Sequence, residues 1–101
     1  MTIVIYTTYG RREEAIEVAY ETACELMKEN DEEIVSTWSC KNEITAIQLS
    51  ESTINIIDTY QANNLSEPIE CDYAIFDENL SLGTYYNIIP SISNQDEISI
   101  F

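Results

Sequence analysis

Apolar and polar positions recur with two different periods along this chain, and each change of period marks an element. Met1 to Thr8 alternates and is rich in β-branched residues (TIVIYTT), which predicts a first strand. Gly10 then opens a helix. At about 100° per residue, Ala15, Ile16, Ala19, Tyr20, Ala23, Leu26 and Met27 share one arc of about 140°, which predicts an amphipathic helix over about 11–29. Asn30-Asp31 closes it. Val18 falls among the polar positions and is expected to be exposed, whereas Arg12 falls near the centre of the apolar arc, in a first turn that overhangs the core.

IVSTW and EITAIQL, separated by Ser39 to Asn42, predict a hairpin. In SESTINIIDTYQANN, Ile54, Ile57 and Tyr60 fit a second short helix near 52–63 with a Ser or Thr cap, while the β-branched content also permits a strand. Pro68 to Phe76 alternates through Ile69, Cys71, Tyr73 and Ile75 and predicts a strand; a turn follows over Asn79 to Gly83. Tyr85 to Ile89, stopped by Pro90, and Glu97 to Phe101 complete the strands. The expected fold is α+β and a single domain over 1–101: a mainly antiparallel β-sheet of four to six strands with the long helix packed on one face.

Charge changes this picture from a generic small domain to an unusual one. The chain carries 19 acids against four bases, a net charge of −15, and from Asn42 to Phe101 there are ten acids and no Lys, Arg or His. Such a field repels nucleic acid and anionic membrane and attracts basic surfaces. Sixteen isoleucines beside only two lysines point to selection against positive charge. Three cysteines, Cys24, Cys40 and Cys71, without a C-x-x-C pair or a secretory leader predict free, mostly buried thiols in a reducing, cytoplasmic setting. No apolar run approaches the roughly 18 residues of a membrane span.

The catalytic inventory is thin. The chain has no histidine, hence no His-based triad and none of the commonest metal ligand. Gly10 and Gly83 are its only glycines, too few for a phosphate-cradling loop. Asp72, Asp77, Glu78, Asp96 and Glu97 offer oxygen ligands for Mg²⁺ or Ca²⁺, but without the spacing of a calcium loop or cations to hold a nucleic-acid substrate. The expectation is therefore a non-enzyme with no cofactor and no metal.

What stands out is a ladder: Glu13, Glu17, Glu21, Glu25 and Glu29 recur at every fourth residue, with Glu14 alongside and only Lys28 as an opposing charge. Four Glu pairs at i,i+4 cost about 1–2 kcal/mol that alternate lysines would remove. A solvated helix face normally mixes signs, and solubility needs a net charge of only about 2–8. The ladder therefore predicts a partner-binding face of Glu13, Glu14, Glu17, Val18, Glu21, Glu25 and Glu29, continued by Asp31, Glu32 and Glu33. Its carboxylates rise about 6 Å per step, whereas duplex DNA presents one charge per roughly 1.7 Å of axis. A polyanion mimic would need further acids alongside, from Glu43, Glu70, Asp72, Asp77, Glu78, Asp96 or Glu97.

In size, charge and this ladder the chain resembles the small acidic inhibitors that phages and mobile elements use against host defence, anti-CRISPR proteins and DNA-mimic inhibitors among them. The resemblance rests on composition and the ladder, with no motif, so no family residue is carried over. It implies a partner that is a basic nucleic-acid-binding protein or nuclease complex, blocked without chemistry and without direct contact to nucleic acid or membrane. An immunity or antitoxin protein covering a toxic nuclease, and a soluble acidic subunit or ion-binding module, are the alternatives.

Overall fold

The computed structural model describes residues 1–40, 43–80, 87–91 and 99–100. Its elements run β1 (Thr2–Thr7), α1 (Arg12–Asn30), β2 (Ile34–Cys40), β3 (Glu43–Leu49), β4 (Thr53–Asp58), α2 (Thr59–Asn63), β5 (Ile69–Cys71), β6 (Tyr73–Phe76), β7 (Ile88–Pro90) and β8 (Ser99–Ile100). Six strands form one sheet in the order β2-β3-β4-β1-β6-β8, and β5 pairs with β7 in a second, two-stranded one.

The mainly antiparallel sheet expected from the sequence is corrected. β1 is flanked on both sides by parallel neighbours, β4 and β6, and β6 pairs parallel with β8; only the β2-β3-β4 end is antiparallel. The physical reason is the connection. α1 and the β2-β3 hairpin carry the chain from β1 to its neighbour β4, a crossover of the kind that parallel strands require. The strand run TIVIYT is a nearly continuous apolar segment, as a strand buried on both faces requires, and not the alternating one that the sequence pattern predicted. Ile3 and Ile5 face α1, Val4 and Tyr6 face the other side, and all four are buried.

Register makes each face a set of rows. Ile47, Ile54, Ile3 and Tyr73 lie side by side across β3, β4, β1 and β6, and Ile56, Ile5 and Ile75 form the next row. These rows, with Leu49, take Ala15, Ala19, Ala23 and Leu26 of α1. On the opposite face Val4, Tyr6, Ala74 and Phe76 pack with Ala62 of α2, Cys71 and Ile88. Tyr6 and Phe76 meet edge to face there, with centroids 6.1 Å apart.

The segment 52–63 proves to be both of its readings in turn. Thr53–Asp58 is a strand buried at every second residue, and Thr59–Asn63 is a short helix. Its cap is Asp58 rather than a Ser or Thr: Asp58 Oδ1 accepts from Gln61 N at 2.8 Å while Asp58 N donates to Gln61 Oε1 at 3.0 Å, a closed capping box. The single strand expected over Pro68 to Phe76 divides at Asp72, whose backbone N–H donates to Thr2 O, so β5 and β6 belong to different sheets. Of the turn expected over Asn79 to Gly83 and the strands over Tyr85 to Ile89 and Glu97 to Phe101, positions 81–86, 97–98 and 101 lie outside the described residues.

Candidate functional site

α1 begins after a turn that needs glycine: Gly10 has φ +98°, and no cap side chain is bonded to the helix N-terminus. The turn is held by Asp77 instead, a fully buried carboxylate at the end of β6. Its Oδ2 accepts from Thr7 Oγ1 at 3.2 Å, Thr8 N at 3.2 Å and Thr8 Oγ1 at 2.8 Å; its Oδ1 accepts from Arg11 Nη1 and from Asn79 N at 2.9 Å. Burial alone would raise its pKa, but the hydrogen bonds from Asn79 and Thr8 and the charge of Arg11 outweigh it and hold the pKa below 3.8. Beside it, Arg12 Nη1 pairs with Asp58 Oδ2 at 3.3 Å and reaches Gln61 Oε1 at 3.3 Å.

This end of the sheet is where α/β folds usually bind ligands. β1 leads into α1 on one face and its parallel neighbour β4 leads into α2 on the other, which makes a switch point at their C-terminal ends. Here that crevice is taken up by the Arg11–Asp77 and Arg12–Asp58 pairs. Above them Tyr9 and Tyr60, 72% and 66% exposed, rest against each other at 6.1 Å, and Tyr9 N donates to Thr59 Oγ1. The chain's two arginines are thus spent on its own carboxylates.

The expected partner face divides into three groups. Glu13, Glu14, Glu17, Glu21, Glu25 and Glu29 are all exposed on α1, and Asp31 and Glu33 continue them past its C-terminus. Glu14 meets Arg11 Nε at 3.9 Å; among the described residues none of the other five has a base within ion-pairing distance. Val18 is corrected: it is half-buried against the α1 core cluster, its carbonyl accepting from Thr22 Oγ1 at 2.8 Å. Three alanines let α1 approach the sheet closely, and the helix is rolled toward Val18 and Thr22, leaving Tyr20, Cys24 and Met27 exposed. The buried thiol expected at position 24 is therefore corrected too.

Glu32 is corrected as well. It is buried, and its two oxygens accept from Glu51 N and Ser52 Oγ, each at 2.9 Å, so it ties the β3-β4 turn and cannot face a partner. That tie brings exposed Glu51 to the same end as Glu33, whose backbone joins Ser50 through Ser50 N to Glu33 O at 2.9 Å. Glu51 is a contributor the sequence pattern did not single out. Asp77 and Asp58 are withdrawn into internal pairs, Asp72 accepts from Thr2 N at 2.7 Å, and Glu70 and Glu78 are exposed elsewhere. Asp96 and Glu97, and the side chain of Glu43, lie outside the described residues.

Sequence reasoning also passed over β2, the end strand of the six-stranded sheet. β2 (IVSTWSC) carries no charged residue, and Ile34, Val35 and Trp38 are 40%, 66% and 48% exposed on it. Val35 sits in a bulge between the Ile34 and Ser36 pairings. Trp38 pairs with Ala46, which pairs with Asn55, a partner of Val4, so it lies on the face away from α1. Cys71 does not suggest a nucleophile: its pKa is raised, first by burial and then by the Asp72 carboxylate. Among the described residues no three metal-ligating side chains converge, and no helix is long and apolar enough to cross a membrane.

Comparison with protein-family models, with curated proteins and with solved structures found no match to this chain.

Proposed function

We propose that this protein is a non-catalytic inhibitor whose α1 face occupies the nucleic-acid groove of a basic partner, a nuclease or a CRISPR-type surveillance complex, as a polyanion mimic in defence evasion. The observation that carries the reading is the run of five exposed glutamates on α1, Glu13, Glu17, Glu21, Glu25 and Glu29, with no answering base among the described residues, extended past the helix by Asp31, Glu33 and Glu51. Glu29 and Asp31 lie at the negative end of the helix dipole, where acids are unfavourable and a partner's cations would be favoured. The internal ion pairs at the other end support the same reading, because this fold pairs charges where it needs them for itself.

The experiment is affinity capture from a lysate of the host cell on immobilised protein, with washes at low and high salt and added duplex DNA. A basic nucleic-acid-binding complex that is released by salt and displaced by DNA fits the proposal. A retained partner indifferent to both counts against it. A dedicated toxin nuclease, bound through the same face, would redirect the reading to an immunity protein.

A further inference from the structure

α1 lies over β1, β4 and β3, and on its β6 side it leaves a cavity of about 300 Å³. Its lining is mainly apolar, from Met1, Ile3, Leu26, Ile75 and Tyr73, and Thr22, Glu25 and Glu29 of α1 add polar side chains to it. Two rungs of the glutamate ladder therefore also line a mainly apolar slot.

That combination selects its occupant. The volume stands at the floor of the range for small-molecule sites, about 300–1,000 Å³, and suits one long side chain better than a cofactor. An apolar slot bordered by two carboxylates fits an apolar stem that ends in a cation. An aromatic wall favours a planar guanidinium, which stacks on rings and takes carboxylates in a two-pronged grip, over a strongly hydrated ammonium. The chain's own arginines are engaged with Asp77 and Asp58, so an arginine for this slot comes from another protein.

We propose that this cavity is the socket for a single arginine side chain of the basic partner, its stem against Leu26, Ile75 and Tyr73 and its guanidinium on Glu25 and Glu29. The inference rests on the reading of α1 as a partner face and gives that face a fixed anchor point. A uniform charged surface attracts any cation; a socket fixes register, as buried anchors do at protein interfaces.

The test uses the intact chain, isotope-labelled, titrated by NMR with N-acetyl-arginine methylamide and with its neutral citrulline isostere. The arginine amide is expected to shift the signals of Ile3, Leu26, Tyr73 and Ile75, with citrulline binding at least about tenfold more weakly. Glu25→Gln/Glu29→Gln should weaken arginine by about the same factor, whereas Glu13→Gln/Glu17→Gln, an equal loss of charge on the same helix, should leave it nearly unchanged. Equal binding of citrulline, equal loss in both double variants, or shifts that miss the four cavity residues would overturn the socket. If a basic protein is captured through α1 while arginine amide fails to seat, the socket alone falls. If the amide seats and no basic protein is captured, the function falls and the socket stands.

Discussion

The two ends of α1 treat charge in opposite ways. At its N-terminal end Arg11 and Arg12 are each fastened to a carboxylate from a distant strand, Asp77 and Asp58, and those carboxylates are further bonded by Thr7, Thr8, Asn79 and Gln61. Along the outer face, Glu13, Glu17, Glu21, Glu25 and Glu29 have no base within ion-pairing distance among the described residues. The first arrangement closes the fold, joining β1, β4 and β6 where their parallel ends meet. The second does nothing for the fold and costs it about 1–2 kcal/mol of mutual repulsion. Charges that serve the structure are paired within it, and charges left unpaired at a cost are the ones that the proposed function gives to a partner.

The largest effect should come from breaking the paired end. Asp77→Ala leaves Arg11 facing the space of a buried carboxylate and takes the acceptor from the Thr8 hydroxyl, while Thr7 Oγ1 keeps Arg11 O at 3.2 Å, so unfolding in urea should show a loss of about 3–5 kcal/mol. Arg11→Met should cost less, because Asp77 keeps its other donors. A loss under about 0.5 kcal/mol for Asp77→Ala would place this cluster among ordinary surface features.

Glu32 and Glu33 sharpen the same contrast within one dipeptide. Glu32→Ala removes the acceptor of Glu51 N and Ser52 Oγ and should cost about 1–3 kcal/mol. Glu33→Ala, on an exposed carboxylate, should stay within about 0.5 kcal/mol. Equal costs would mean that the buried tie contributes no more than a solvated side chain.

Acid should reach the paired end selectively. Asp77 has a folded pKa below its usual 3.8, so its contribution is fully present above that value and is lost as pH falls through the lowered folded one. Stability followed by circular dichroism should therefore drop below about pH 4, and part of that drop should vanish in Asp77→Asn.

The effect of opposite sign belongs to the unpaired end. Glu17→Lys/Glu25→Lys converts all four i,i+4 repulsions of the ladder to attractions and should stabilise the fold by about 1–2 kcal/mol or slightly more. Destabilisation by this variant would mean that the glutamates have internal partners.

How far the sequence foretold these regions follows from what each depends on. α1 was legible because its period and its glutamate spacing are local. The parallel centre was not, because alternation in Met1–Thr8 and Pro68–Phe76 says which residues are apolar without saying which strands adjoin. The helix wheel placed the buried arc a little off, since large Tyr20 and Met27 weigh as much as the alanines that in fact meet the sheet. Glu32 and Glu33 are indistinguishable in sequence, and only the β3-β4 turn separates them. Asp77 finds Thr8 and Arg11 across more than sixty residues, a constellation no spacing rule reaches. The exposure of the ladder residues was legible, whereas the burial of Val18 and Glu32 and the approach of Glu51 were not.

The proposed function makes the ladder glutamates of α1 the partner surface. Its most direct test is capture of a basic nucleic-acid-binding complex by wild type and by Glu17→Lys/Glu25→Lys side by side at low salt, after thermal melting has established that both are folded. Retention by wild type and loss in the better-folded variant is the predicted result. Equal retention by both would contradict the claim and return the ladder to the status of a solvated helix face.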